Sequence, residues 1–188
     1  MAAVNRGMIV GAVDYSMSSP AIAVCTAGSL EVLNFHEHFI FHSLCSYRLA
    51  NQKNIFFTMH QKFESDIRRF DYISEWAIEA LQGVDQVLME GYSMGSKGLV
   101  YNIGENTGLL KHKLLFKLGK EPVIIPPTVI KKSATGKGNA DKSQMHKAFV
   151  ERTGVDLRQM IQPKRLLGSP TTDIVDAFFI AHLADRKS

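Results

Sequence analysis

Two short apolar runs in this chain each finish on a carboxylate: residues 8–14 (MIVGAVD) and residues 84–90 (VDQVLME). A nearly continuous apolar run of that length is what a strand covered on both faces of a sheet presents. An acid as its last residue lies where the strand emerges at the sheet's rim. Ligands of open α/β sheets gather at the carboxyl ends of the strands. Asp14 and Glu90 are therefore candidate site residues wherever the two strands are neighbours.

The pattern between and beyond these runs predicts the rest of the fold. Residues 21–26 (AIAVCT), a turn at Ala27-Gly28-Ser29 and residues 30–41 (LEVLNFHEHFIF) read as a hairpin, while residues 43–57 fit neither period. From 58 to 81, Phe63, Ile67, Phe70, Ile73, Ala77 and Leu81 recur at spacings of three and four, a helix stopped by Gly83. Residues 99–118 predict a further helix. Its Gly104 and Gly108 each cost about 1 kcal/mol relative to alanine, unless they permit close backbone packing. Residues 121–125 predict a strand closed by Pro126-Pro127, and a glycine-rich loop (SATGKGNAD) leads into a helix over 141–152. Asp141 is its expected cap, with Gln144 completing a capping box. A last helix is expected over 172–185 with Thr171 or Thr172 as N-cap. A hairpin followed by alternating helices and strands predicts a mixed α/β sheet with helices on its faces. With no repeat, linker or shift in composition, the 188 residues read as one domain.

Composition narrows the function classes. Hydrophobic residues at 45% and charged residues at 21% exclude a disordered or fibrous chain. No apolar run reaches the roughly 18–20 residues of a membrane span, and Asp14 interrupts the run after Arg6 too early for a secretory leader. Two cysteines, Cys25 and Cys45, exclude a disulfide framework and a multi-cysteine zinc site. A reducing, cytoplasmic setting is expected. The net charge is +4, yet residues 111–142 hold eight lysines against two acids, so the remainder is slightly acidic. Such a basic zone suits a polyanion; a solvated helix face followed by a lysine-rich loop would produce the same count.

Asp173 and Asp176 stand three apart in the last helix and so share a face. Their neighbours Ile174, Val175, Ala177, Phe178, Phe179 and Ile180 mark that helix for burial. Two buried acids are costly without a positive charge between them. A divalent cation supplies it, and an all-oxygen donor set suits Mg²⁺ or Mn²⁺ rather than zinc. Singly, each acid has a structural reading: Asp173 in a helical first turn, Asp14 capping a turn through Ser16 or Ser18, Glu90 ending a strand. Together, two strand-end acids and an i,i+3 pair point to a metal site. The chemistry such a site supports is phosphodiester hydrolysis by two cations about 4 Å apart, with nearby lysines on the phosphate.

The order of these motifs resembles the RuvC-like Holliday-junction resolvases, especially their phage-encoded relatives, within the RNase H-like nucleases. Asp14 in VGAVDYSMSSPA, Glu90 in VLMEGYS, and Asp173 and Asp176 in SPTTDIVDAFFIA match the family's four metal-binding carboxylates. IKKSATGKGNADKSQ resembles its lysine-bearing stretch, with Lys131 and Lys142 at the two lysine positions near the scissile phosphate. The likeness covers about residues 10–180. It implies an RNase H-like fold with a central mixed five-stranded sheet flanked by helices. It also implies a homodimer and Mg²⁺-dependent paired nicking of a four-way DNA junction, with Mn²⁺ as substitute and two ions per site. A bacterial cell or a phage-infected host is the implied setting. Lys132 and Lys137 are expected to hold the DNA backbone more generally. An aromatic after the strand-ending acid contacts the junction in that family, and Tyr92 is the nearest one here. Residues 42–57 and 154–170 depart from the family pattern.

Other motifs lead elsewhere or nowhere. Residues 136–143 (GKGNADKS) miss a phosphate-binding loop because Asp141 replaces its last glycine. The preceding strand is also too distant, so no nucleotide cofactor is expected. His36, His38 and His42 read as an exposed hairpin edge rather than a metal site. His146, one turn beyond Lys142, faces either the same groove or solvent. Ser16, Ser18 and Ser19 have no nearby His-Asp partner for hydrolase chemistry. Phe56 and Phe57 are expected in the core. The same four acids would serve a ribonuclease or strand transferase of the same fold. A silent nucleic-acid-binding module would keep the lysines without needing the acids.

Overall fold

The computed structural model describes residues 7–26, 35–92, 100–162 and 164–184. Six strands form one mixed sheet: β1 (Ile9–Asp14), β2 (Ala21–Thr26), β3 (Phe39–Cys45), β4 (Ile55–Met59), β5 (Gln86–Glu90) and β6 (Val123–Ile125), in the order β4-β3-β2-β1-β5-β6. β1, β2 and β3 run antiparallel in turn, and β5 and β6 add in parallel beyond β1. The expected central mixed sheet is present with one strand more than the five implied. The addition is β4, which pairs in parallel with β3 at the edge.

Side chains alternate across this sheet with period two, so it feeds two separate cores. Val10, Ala12, Phe39, Phe41 and Leu88 face a layer built by α5 (Lys142–Thr153) and α7 (Thr171–Ala181). Val13, Ile22, Leu44, Val87 and Met89 face α2 (Asp66–Ala80) and α3 (Val100–Leu118). In the first core, Phe178 packs its ring 5.0 Å from Phe39 and 4.8 Å from Phe149. On the second face, a Cβ on Gly11 would stand 2.3 Å from Leu81 Cδ2, so the absence of a side chain there lets α2's end close on β1.

Several local expectations change. The segment before β3 is a short helix, α1 (Phe35–His38), where a strand was expected. Asn54 holds it by donating to the carbonyls of Phe35 (2.8 Å) and Phe39 (3.1 Å). Residues 27–34 of the expected hairpin, its turn included, lie outside the described residues. The expected helix over 58–81 begins only at Asp66, capped by Ser65, because residues 55–59 are β4. Phe56 is half exposed and stacks on His42 instead of entering the core. Gly104 and Gly108 serve no close packing, since a Cβ on either meets nothing within 4 Å. Pro126-Pro127 begins a helix rather than a loop: α4 (Pro127–Thr135) has proline at its first position, where a missing N–H costs nothing. The Asp141–Gln144 capping box at α5 is present as expected. Residues 157–161 form an unanticipated α6 (Leu157–Ile161). Neither Thr171 nor Thr172 caps α7; Pro170 holds that position without a side-chain bond.

Candidate active site

β1 and β5 pair in parallel with Val13 opposite Met89, which brings Asp14 and Glu90 out side by side at the same rim. α7 crosses beneath both strands and delivers Asp173 and Asp176 to that rim, anchored by ten buried residues of its eleven. The four expected acids therefore converge from three elements. Burial and mutual repulsion show in the proton affinities of Asp14, Glu90 and Asp176. Burial, then repulsion from Asp176, Asp173 and Glu90, holds the Asp14 carboxyl well above the usual carboxylate range. A hydrogen bond in which Asp14 donates to Glu90 adds to this. Burial and the Asp173 charge raise Glu90, against that hydrogen bond and the attraction of Lys131. Asp176 is pushed up to about 7 by burial, Glu90 and Asp173, with Lys142 and Lys131 opposing.

Asp173 is held differently. Ser19 Oγ donates to its Oδ2 at 2.5 Å and Thr172 Oγ1 to its Oδ1 at 3.2 Å. The Lys142 ammonium lies 3.5 Å from the same Thr172 hydroxyl. Sequence reasoning missed both hydroxyls. Thr172 was expected as a helix cap, and Ser19 is one of three serines in a turn, without a local signal that separates it from the others.

Lys131 from α4 and Lys142 at the start of α5 line a cleft of about 190 Å³ with Glu90, Asp176 and Thr172. The two lysines expected near the phosphate thus share one cleft with two of the acids. Lys132 and Lys137 are exposed and do not line it; Lys137 lines a separate surface groove with Gln144 and Lys147. Glu90 also lines, here with Asp14, a second cavity of about 280 Å³ bordered by Tyr15, Tyr92 and Asn106. Tyr92 is half exposed there with the Lys111 ammonium 5.1 Å from its ring centre, and Tyr15 donates to Asn106 at 3.2 Å. His146 does not line the cleft; its Nε2 lies 3.4 Å from Asp156.

The two segments that departed from the family pattern meet at the start of α7. The Gln162 amide donates to the Tyr47 hydroxyl and, at 3.3 Å, to the Ser169 carbonyl, while its Oε1 accepts from Thr171 at 2.9 Å. The Arg165 guanidinium covers the Tyr47 ring at 4.1 Å. This clasp fixes the chain two residues before Asp173.

The acids suit a hard divalent cation in donor chemistry and in charge: all donors are oxygen, and burial leaves negative charge that only two lysines offset. Among the described residues, no three His, Cys, Asp or Glu side chains are already arranged around one point to hold an ion. Asp14 and Glu90 instead share a hydrogen bond. No helix among the described residues is long and apolar enough to cross a membrane.

No family model matches the chain, and no curated protein does. Solved structures do. RuvC of Thermus thermophilus aligns with a TM-score of 0.60 at 15% identity, over 95% of this chain and 96% of that one. The same protein in complex with a Holliday junction substrate aligns at 0.58 and 16%, over 92% of each chain. The yeast mitochondrial Holliday junction resolvase aligns at 0.57 and 15%, over 93% of this chain and 76% of that one. At these identities the likeness establishes the fold, which is the RuvC-type, RNase H-like fold over nearly the whole chain.

Proposed function

We propose that this chain is a metal-dependent endonuclease that cuts branched DNA, four-way junctions foremost, by paired phosphodiester nicks. The observation that carries the reading is the convergence of Asp14, Glu90, Asp173 and Asp176 with Lys131 and Lys142 at one rim of the sheet. A fold shared with a RuvC bound to a junction supports the choice of substrate. Asp14, Glu90, Asp173 and Asp176 would hold the cations, Mg²⁺ or Mn²⁺. Bound there, two such ions supply the charge that activates water and stabilises the leaving 3′ oxygen. Lys131 and Lys142 face the same cleft and would offset the charge that builds on the phosphoryl oxygens in the transition state. Lys132 and Lys137 would extend the hold to neighbouring phosphates, and Tyr92 with Lys111 would meet the branch point. A homodimer would present two such sites to two of the four strands of a junction.

The test is cleavage of a labelled immobile four-way junction beside matched linear duplex, flap and RNA–DNA hybrid, in Mg²⁺, Mn²⁺ or EDTA. Symmetric junction nicks that require metal are the expected result. Cutting of the hybrid alone would keep the acids but change the substrate. Binding without cutting in every metal would overturn the nuclease reading.

A further inference from the structure

Four acids meet at this site, and only one has both carboxylate oxygens engaged by hydroxyl donors. Asp173 accepts from Ser19 at Oδ2 and from Thr172 at Oδ1. The Thr172 bond comes from the adjacent residue on the same helix. Ser19 comes from the turn between β1 and β2, 154 residues away in sequence, and the bond is short and buried. Ser19 is itself fixed: its backbone N–H donates to Ser16 Oγ at 3.0 Å, closing the turn that follows Asp14. The Ser19 hydroxyl therefore ties the α7 acids to the strand that bears Asp14.

We propose that Ser19 is a positioning residue of the metal site, holding the Asp173 carboxylate through Oδ2 so that its orientation is set before a cation arrives. This inference rests on the metal-dependent reading above and deepens it. With one donor on each oxygen, the Asp173 carboxylate keeps a lone pair on each for a cation, and its rotamer no longer has to be ordered on binding. Outer partners of this kind typically change metal affinity 10–100-fold when removed. Thr172 cannot substitute, because its bond moves with α7 and does not relate that helix to β1.

The experiment measures Mn²⁺ binding to the DNA-free full chain by calorimetry or electron paramagnetic resonance, for wild type, Ser19→Ala and Ser19→Thr. Junction binding in EDTA and the thermal midpoint without metal are recorded for each. Ser19→Ala is expected to bind Mn²⁺ roughly tenfold more weakly, with junction binding and thermal midpoint unchanged and most of the affinity regained in Ser19→Thr. Unchanged Mn²⁺ affinity in Ser19→Ala would overturn the proposal. So would a loss accompanied by a fall in thermal midpoint and in junction binding, which marks a structural role. So would equal weakness of both variants with intact folds. Because the titration contains no DNA, a wild type that binds Mn²⁺ but cuts nothing would remove the nuclease reading and leave the role of Ser19 standing.

Discussion

Replacing Asp176 by asparagine tests the charge imbalance directly. The native carboxyl is raised from 3.8 to about 7, chiefly by burial and then by Glu90 and Asp173. At about 1.4 kcal/mol per pH unit, ionising it in the folded state costs about 4 kcal/mol, and its partial exposure to solvent brings that to roughly 2–4 kcal/mol. The direction follows from proton counting. Between about 4 and about 7 the folded chain binds more protons at this site than the unfolded chain, so stability falls as pH rises. The contribution is complete below the unfolded value and lost by the time pH has passed the folded one. His42 and His60 act in the opposite sense, because burial lowers both and the unfolded chain takes up their protons first as pH falls.

The difference between wild type and Asp176→Asn cancels the histidines. In EDTA at pH 8 the variant should be the more stable by roughly 2–4 kcal/mol, a thermal midpoint about 5–15 °C higher for a chain of this size. Below about pH 3.8 the two should nearly coincide, and at pH 4.5 about a quarter of the gap should already have opened. Millimolar Mg²⁺ or Mn²⁺ at pH 8 should raise the wild-type midpoint much more than the variant's, since a cation binds the folded acids and not the dispersed ones. Scanning fluorimetry across pH with and without EDTA measures all of this. A variant no more stable than wild type at pH 8 without metal would refute the account of the four acids as an uncompensated cluster, as would a gain that does not change with pH.

Asp14→Asn should abolish cleavage while keeping or tightening junction binding, because the amide can still donate to Glu90 but can never ionise beside the phosphates; loss of binding as well, by electrophoretic shift in Ca²⁺ or EDTA, would assign Asp14 a structural role. Lys131→Ala should lower the single-turnover rate at saturating junction. Lys137→Ala, outside the cleft, should leave that rate alone and lower the salt dependence of binding by about one phosphate contact; an unchanged salt slope would remove Lys137 from the interface. Gly11→Ala should cost about 1–3 kcal/mol in urea unfolding, because the new methyl meets Leu81 at 2.3 Å and Val84 at 3.3 Å. A change below about 0.5 kcal/mol would show that the end of α2 shifts freely.

The acids were legible because each sits where secondary structure alone sets its direction: two at strand ends, two one turn apart on an apolar helix. Elements whose local pattern conflicts with their tertiary role were not. Residues 55–59 (IFFTM) form edge strand β4, yet their apolar run merges with the helical period that follows. The short helix α1 interrupts a run fit for a strand, and its register depends on Asn54, distant in sequence. Pro126-Pro127 reads as a terminator because proline ends helices far more visibly than it begins them. Ser19 could not be found at all from the sequence, since what distinguishes it from Ser16 and Ser18 is a contact with Asp173 across the fold.

The two acids on α7 also show that the helix is not optimised for stability. Its apolar side chains bury fully against β1 and β2, and Phe178 alone packs against four other rings, Phe39, Phe149, Phe179 and His182. Nothing in that packing needs a carboxylate. Asp176 works against it, since its ionised form is the costly one and only Lys131 and Lys142 offset the cost. Asp14 and Glu90 meet the same difficulty through the hydrogen bond between them, which raises the first and lowers the second. With its carboxyl pushed up to about 7, Asp176 would give up its proton near neutral pH to a cation under the proposed reading. Asp173, already bonded by Ser19 and Thr172, would be the fixed member of the group. Under the proposed reading, such a site would couple folding to its ligand, since a cation bound among these acids would relieve the repulsion that burial imposes on them.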